Sequence, residues 1–339
     1  MISPLPCSIH KYGFKKLIGK GGFSFVYLVE SEDDHKKYCA KVTPLNNDII
    51  LGVKIDPLEA EIKALMSLSH QNIIRLYDHF TENNCFFIIL EYCQLGSMQD
   101  TLNKKGLPKE QFINYARQIV SALTFVHSKN IAHRDIKPGN ILIDSLGHIK
   151  LSDFGISITN ANNMIEPFSG SLLYMPPEII LKKPHNPMQA EIWSLGVLFA
   201  YMINGRAPWQ CDNVNSLRTC IIAGDFKLRA NTPPEIIDLI SKMMRIDPNE
   251  RPSVAEILNY KLFEKDPLDG MLSDNEEVPQ DVLSPKGRSL RSIQRNKSTY
   301  HPHSITIGIF KMNMMLGNNR LPRIKPRFHH PFREKFATH

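Results

Sequence analysis

Asp135, Asn140 and Asp153 are residues of the kind that transfer of a phosphoryl group demands. They lie in a stretch reading His133-Arg134-Asp135-Ile136-Lys137-Pro138-Gly139-Asn140, then an apolar run, then Asp153-Phe154-Gly155. Such transfer needs metal ions to neutralise the phosphates and one oriented base beside the incoming hydroxyl, so carboxylates and a carboxamide must converge on one spot. The intervening run from Ile141 to Leu151 has turn residues at Ser145 to Gly147 between apolar flanks. This pattern predicts two short strands that fold Asp153 back beside Asn140.

Other elements must position these groups. Ile18-Gly19-Lys20-Gly21-Gly22-Phe23-Ser24-Phe25-Val26 sits between apolar runs, as a β-turn-β whose glycines let backbone N–H groups approach phosphates closely. Tyr38-Cys39-Ala40-Lys41-Val42 reads as a strand of alternating faces carrying a lysine. Leu58, Ile62, Leu65, Met66 and Leu68 recur at helical spacing, with Glu59 and Glu61 as candidate partners for Lys41. Leu76, Tyr77 and Phe80, then Phe86 to Leu90, predict two buried strands leading into Glu91-Tyr92-Cys93-Gln94-Leu95-Gly96. A strongly apolar helix begins near Glu191-Ile192-Trp193.

From these residues the chain resembles the eukaryotic protein kinases of the Ser/Thr type, whose H-R-D-x-K-x-x-N loop and D-F-G motif it matches over roughly residues 12–263. The resemblance implies an α+β, bilobal protein-kinase fold, with a small β-rich N-lobe carrying one key helix and a larger α-helical C-lobe. It implies transfer of the γ-phosphoryl group of ATP to protein Ser/Thr hydroxyls, with ATP and Mg²⁺ as cofactors and protein substrates as partners. Asp135 would accept the hydroxyl proton, Lys137 would hold the γ-phosphate, and Asn140 and Asp153 would ligate Mg²⁺. ATP would lie among Ile18, Gly19, Lys20, Gly21, Gly22, Phe23, Ser24, Val26, Ala40, Lys41, Leu90, Glu91, Cys93 and Leu142. Leu90 would be the gatekeeper at the hinge, and the family pattern selects Glu61 over Glu59 as the partner of Lys41.

Further on, Gly170 to Glu178 resembles the segment that supports a peptide, and Glu178 would pair with Arg251. Four positions depart from the family pattern. Ser24 replaces the third loop glycine, and Pro176 an alanine. Gly139 occupies a position that is acidic in arginine-directed members. Glu191 replaces an aspartate that binds the catalytic-loop backbone, and its extra methylene is expected to shift that contact. Ser24, Gly139 and Glu191 motivate the alternative, a pseudokinase scaffold that binds partners without catalysis.

Finer expectations rest on the same resemblance. The body looks most like the calcium/calmodulin-dependent and AMP-activated group or the NIMA-related group. Lys137 favours Ser/Thr acceptors, and Ile156 after the D-F-G motif leans towards threonine. Ser97 and Gly139 lack the acids that recognise arginine near the acceptor, so a preference that is not strongly basic is expected, with an apolar pocket near Leu172 and Met175. Arg134 and Lys150 suggest a basic pocket for a phosphorylated activation segment, with Ser169 and Thr159 as candidate phosphosites and Ser171 contacting Asp135.

Composition bounds the rest. The 339 residues exceed one ordinary core. Residues 264–281 carry a net charge of −6 and residues 282–339 one of +11, leaving +2 on the body, so the basicity belongs to the tail. The expected organisation is an N-terminal extension (1–11), a kinase domain (12–263; lobes 12–91 and 96–263), and an acidic then basic tail (264–339), largely disordered. Within that tail, Ser304 to Leu316 is more apolar and is a candidate regulatory segment. Charge gives the only hint of nucleic acid or membrane, and a monomer is expected. Neither a signal-peptide start nor a long apolar run is present, and six cysteines without metal-binding spacing suit reduced thiols, hence a cytoplasmic or nuclear protein.

Overall fold

Alternation of buried and exposed side chains builds the smaller lobe. In the computed structural model, which describes residues 2, 4–22, 24–45, 56–159 and 171–264, six antiparallel strands form its sheet. They are β1 (Cys7–Ile9), β2 (Tyr12–Lys20), β3 (Phe25–Ser31), β4 (Lys37–Pro44), β5 (Leu76–Glu82) and β6 (Cys85–Glu91), in the order β1-β2-β3-β4-β6-β5. Phe14, Tyr27, Val29, Ala40, Val42, Phe87 and Ile89 point to one face and pack there. Burying such side chains stabilises the lobe by about 1.5–3 kcal/mol for each large residue. Asn83 and Asn84, with φ of 49° and 56°, supply the left-handed pair that a tight β5–β6 hairpin needs.

Helix α1 (Asp56–Ser67) follows the sheet's first four strands. Ile62, Leu65 and, just past its end, Leu68 are buried as the spacing predicts, but Met66 is 70% exposed. Met66 falls one position from Leu65, about 100° around the helix, and so turns away from the core.

The larger lobe is helical. Helix α2 (Met98–Thr101) is a single turn capped by Ser97, and the longer helices are α3 (Lys109–Ser128), α5 (Pro187–Asn204), α6 (Val214–Ala223) and α7 (Pro234–Met243). Helix α4 (Pro177–Ile180) and α8 (Val254–Leu258) are short. Helix α5 is buried nearly all round, so its sequence is apolar on every face rather than amphipathic. Gly205 closes it at φ 71°, where a side chain would strike the Asn103 carbonyl. No helix among the described residues is long and apolar enough to cross a membrane.

Between the lobes lie short strands: β7 (Gly96–Ser97), β8 (Ile131–Ala132), β9 (Ile141–Ile143), β10 (Ile149–Leu151) and β11 (Ile158–Thr159). β9 and β10 pair antiparallel with Ile141 opposite Leu151, around Gly147 at φ 82°, which is the hairpin expected from the turn residues. Ile74 N–H donates to the Leu151 carbonyl at 2.9 Å, Leu151 N–H to that of Asn72 at 2.8 Å, and Asn72 Nδ2 to that of Ile149 at 3.0 Å. The segment after α1 is thereby stitched to β10. The expectations for Phe23, Ser169, Gly170 and the tail, Ser304 to Leu316 included, fall outside the described residues.

Candidate active site

The β9–β10 hairpin brings two polar clusters together. In the first, Lys41 on β4 donates to Glu61 Oε1 at 2.7 Å and to Asp153 Oδ1 at 3.0 Å. Glu61 is 3% exposed, whereas Glu59 reaches only Lys63 on the surface. Burial disfavours the Lys41 charge, but the carboxylates of Asp153 and Glu61 outweigh it and hold the ammonium above its ordinary range. Burial likewise opposes ionisation of Asp153, and Lys41 reverses this, leaving the carboxyl below its usual value. A Cβ on Gly155 would lie 3.3 Å from Asp153 Oδ1 and 3.4 Å from Glu61 Oε2, so a side chain there would crowd the two carboxylates that hold Lys41.

In the second cluster, Asp135 Oδ2 accepts from Lys137 Nζ and from Asn140 Nδ2, the latter at 2.8 Å. Asn140 Nδ2 also donates to the Asp135 carbonyl, which fixes its amide. That leaves Asn140 Oδ1, Asp153 Oδ2 and Asp135 Oδ1 with no hydrogen bond from any described residue. Hard oxygen donors of this kind suit a magnesium ion.

Beneath the loop, buried His133 accepts the Asp135 N–H on Nδ1 at 3.2 Å and donates from Nε2 to the Ser152 carbonyl at 2.9 Å. Phe154, 1% exposed, meets its ring edge-on at 4.6 Å. Arg134 and Asp153 carry φ of 69° and 65°, a strained conformation for side-chain-bearing residues that the surrounding bonds must hold.

Glu191 supplies one of those bonds. Its Oε1 accepts the Arg134 N–H, so the contact expected to shift with the added methylene is made. Its Oε2 also meets His127 Nε2 at 2.7 Å, a partner that sequence reasoning missed. Glu191 is 2% exposed; burial would raise its carboxyl, but His127 and the Arg134 N–H lower it below the ordinary value.

Ile18, Val26, Leu90 and Leu142 are half-buried and Ala40 fully buried. Leu90 opposes Cys39, and Ala40 opposes Ile89, across neighbouring strands. The Cys93 N–H has no partner among the described residues, which suits the acceptor edge of an adenine. Burial pushes the Cys93 thiol up to about 12, so the side chain is an inert wall. Gly21 N–H donates to the Ser24 carbonyl at 2.8 Å, and Ser24 Oγ sits 3.0 Å from where a Gly21 Cβ would be, so serine at the third position closes the turn tightly.

Below the cleft, Arg251 grips Glu178 with two bonds of 2.7 and 2.9 Å and donates to the carbonyls of Arg245, Gln189 and Ile246. Two expectations fail here. Lys150 pairs with Glu91 at 2.8 Å and lines a cavity of about 620 Å³ with Leu65, Met66 and Arg75, so it does not join Arg134 in a basic pocket. Ile149 and Leu151 face the core, and strand alternation sends Lys150 to the opposite side. Nor does any described hydrogen bond link Ser171 to Asp135, whose Oδ2 is engaged by Lys137 and Asn140.

A two-lobed fold with a lysine held between two acids, above a base and a carboxamide, defines a nucleotide-dependent phosphotransferase. The description "protein kinase domain" matches residues 12–263, and the chain belongs to that family. It is 34% identical over 258 residues to an Aurora kinase of Dictyostelium discoideum, covering 76% of this chain and 67% of that protein. It is 32% identical over 254 residues to Aurora kinase C of Mus musculus, covering 75% and 91%. It is 34% identical over 260 residues to the probable serine/threonine-protein kinase MARK-A of D. discoideum, covering 75% of this chain and 24% of that protein. The protein is an ATP-dependent serine/threonine protein kinase, and the calcium/calmodulin-dependent and AMP-activated group fits it.

Proposed function

We propose that Asp135 takes the proton of a substrate Ser or Thr hydroxyl, that Lys137 meets the γ-phosphoryl group, and that Asn140 and Asp153 are the oxygen donors to Mg²⁺. The observation that supports this best is the convergence of the Lys41–Glu61–Asp153 and Lys137–Asp135–Asn140 clusters across one hairpin. A bound Mg²⁺ would neutralise phosphate charge while the nucleotide supplies the transferred group. Lys41, held by two acids, orients its ammonium towards the α- and β-phosphates. Ile18, Val26, Ala40, Leu90 and Leu142 would exclude water around the base of a bound nucleotide, with the Glu91 carbonyl and the Cys93 N–H available to its edge. The hydroxyl proton passes to Asp135 Oδ1, the carboxylate oxygen left free by Lys137 and Asn140.

The substrate segment lies along Leu172 and Met175, and its preference is not dominated by arginine, because neither Ser97 nor Gly139 offers a carboxylate. Assays of ATP/Mg²⁺-dependent phosphorylation should find transfer abolished in Asp135→Asn while circular dichroism shows the variant still folded. Transfer retained at wild-type rate would remove Asp135 from the reaction and overturn the assignment.

A further inference from the structure

We propose that Cys211 and Cys220 form a reversible disulfide beside the peptide-binding segment, a modification site separate from the phosphoryl-transfer residues. The two sulfurs lie 2.8 Å apart in the thiol state, both side chains are partly exposed, and both rest on the core of the larger lobe. A disulfide bond needs about 2.05 Å, so less than an ångström of approach closes the pair. Cys211 lies in the loop between α5 and α6, whereas Cys220 is carried by α6 itself. The bond would tie that loop to the helix.

The consequence for the kinase runs through Trp209, two positions before Cys211. Its indole N–H donates to the Leu173 carbonyl at 2.9 Å, and its ring stacks on Trp193 with centroids 6.3 Å apart. Leu173 belongs to the turn Leu172–Tyr174, which the Ser194 hydroxyl also holds through the Tyr174 carbonyl at 2.8 Å. Helix α6 packs on α4, which follows that turn directly. Moving Cys211 therefore pulls on the backbone that lines the peptide site and leaves the nucleotide walls untouched.

Hydrogen peroxide balances the chemistry. Cys220 as its thiolate attacks one peroxide oxygen, the O–O bond breaks, and the leaving hydroxide takes up the thiol's proton, giving a sulfenic acid and one water. Cys211 then attacks the Cys220 sulfur; the S–S bond forms, the S–O bond breaks, and the departing hydroxide leaves as a second water with the Cys211 proton. Two thiols are oxidised and one peroxide is reduced. The roles follow the hydrogen bond, in which Cys211 Sγ–H donates to Cys220. Burial, the bond to Cys220, and the nearby charges of Asp212 and Asp225 hold the Cys211 thiol up at about 11, which disfavours it as the first attacker.

The test uses the full chain treated with peroxide, blocked with N-ethylmaleimide and digested with trypsin. Cleavage after Arg206, Arg218 and Lys227 puts the cysteines on separate peptides, 207–218 and 219–227. The expected result is a joined pair, lost on adding dithiothreitol and absent from Cys211→Ser and Cys220→Ser. In the cross-linked wild type the KM for a peptide substrate should rise about fivefold, the factor one neutral hydrogen bond is worth, with the KM for ATP unchanged. Recovery of both cysteines as maleimide adducts, or of either as a sulfinic acid or joined to another cysteine, overturns the proposal. An unchanged peptide KM in fully cross-linked protein overturns the link to Trp209, whereas the mass measurement stands whatever the enzyme does.

Discussion

Glu191→Gln isolates the charge that holds the catalytic loop. The substitution preserves shape, and glutamine Oε1 can still accept the Arg134 N–H, but both bonds of the carboxylate become neutral ones. Hydrogen bonds to a charged group contribute about 1.5–3 kcal/mol, against about 0.5–1.5 for neutral pairs, so two bonds lose about 2 kcal/mol. At 2% exposure solvent cannot substitute for them. For a domain of this size the melting temperature should fall by about 4–8 °C. About half of that loss falls on the strained Arg134 backbone just before Asp135, which lowers kcat about fivefold. The KM for ATP should not move, because Glu191 touches none of the nucleotide walls. The Glu191 carboxyl titrates below 4.5 in the fold, so its stabilisation is complete above that pH and fades as pH falls through the depressed value. The lead of the wild type over Glu191→Gln therefore narrows below pH 4.5. Thermal melts from pH 7 to pH 4, with steady-state kinetics at neutral pH, test this. A melting temperature within about 1 °C of wild type, or a loss confined to the KM for ATP, would refute the reasoning.

Removing Arg251 leaves Glu178 buried and unpaired; Arg251→Ala should cost about 3–5 kcal/mol and lower the melting temperature by roughly 10 °C, read by circular dichroism. Gly139→Glu places a carboxylate beside Gln99, whose Oε1 lies 3.2 Å from where the new Cβ would sit and can swing aside. That variant should gain at least about threefold selectivity for arginine near the acceptor on a peptide array, over a wild type with no arginine dominance at P−3. Ser169→Ala should lower turnover several-fold if phosphorylation there orders the activation segment; unchanged turnover rejects Ser169 as that site.

Much of the site was legible because its signals are local. The turn at Ser145 to Gly147, the glycines before Val26 and the strand around Lys41 each announce themselves within ten residues, and the hairpin register follows from them. Glu61 needed the family pattern, since Glu59 has the same helical credentials and only the fold, through burial and the bond to Lys41, separates them. His127 carried no local signal: its partner Glu191 is 64 positions away, and nothing near Val126 marks a functional residue. Proximity along the chain suggests the wrong neighbourhood for Lys150, whereas Ile149 and Leu151 on either side fix its face as the one away from the core.

The stitching of Asn72 and Ile74 to β10 has a mechanical consequence. Glu61 rides on a helix that runs into this segment, and Asp153 follows β10 by two residues, so both acids share a foundation in the larger lobe. Lys41 alone is carried by the sheet of the smaller lobe. The lysine thus enters like a bolt between two jaws, and a disturbance of the sheet that carries it strains its bonds to Glu61 and Asp153 together.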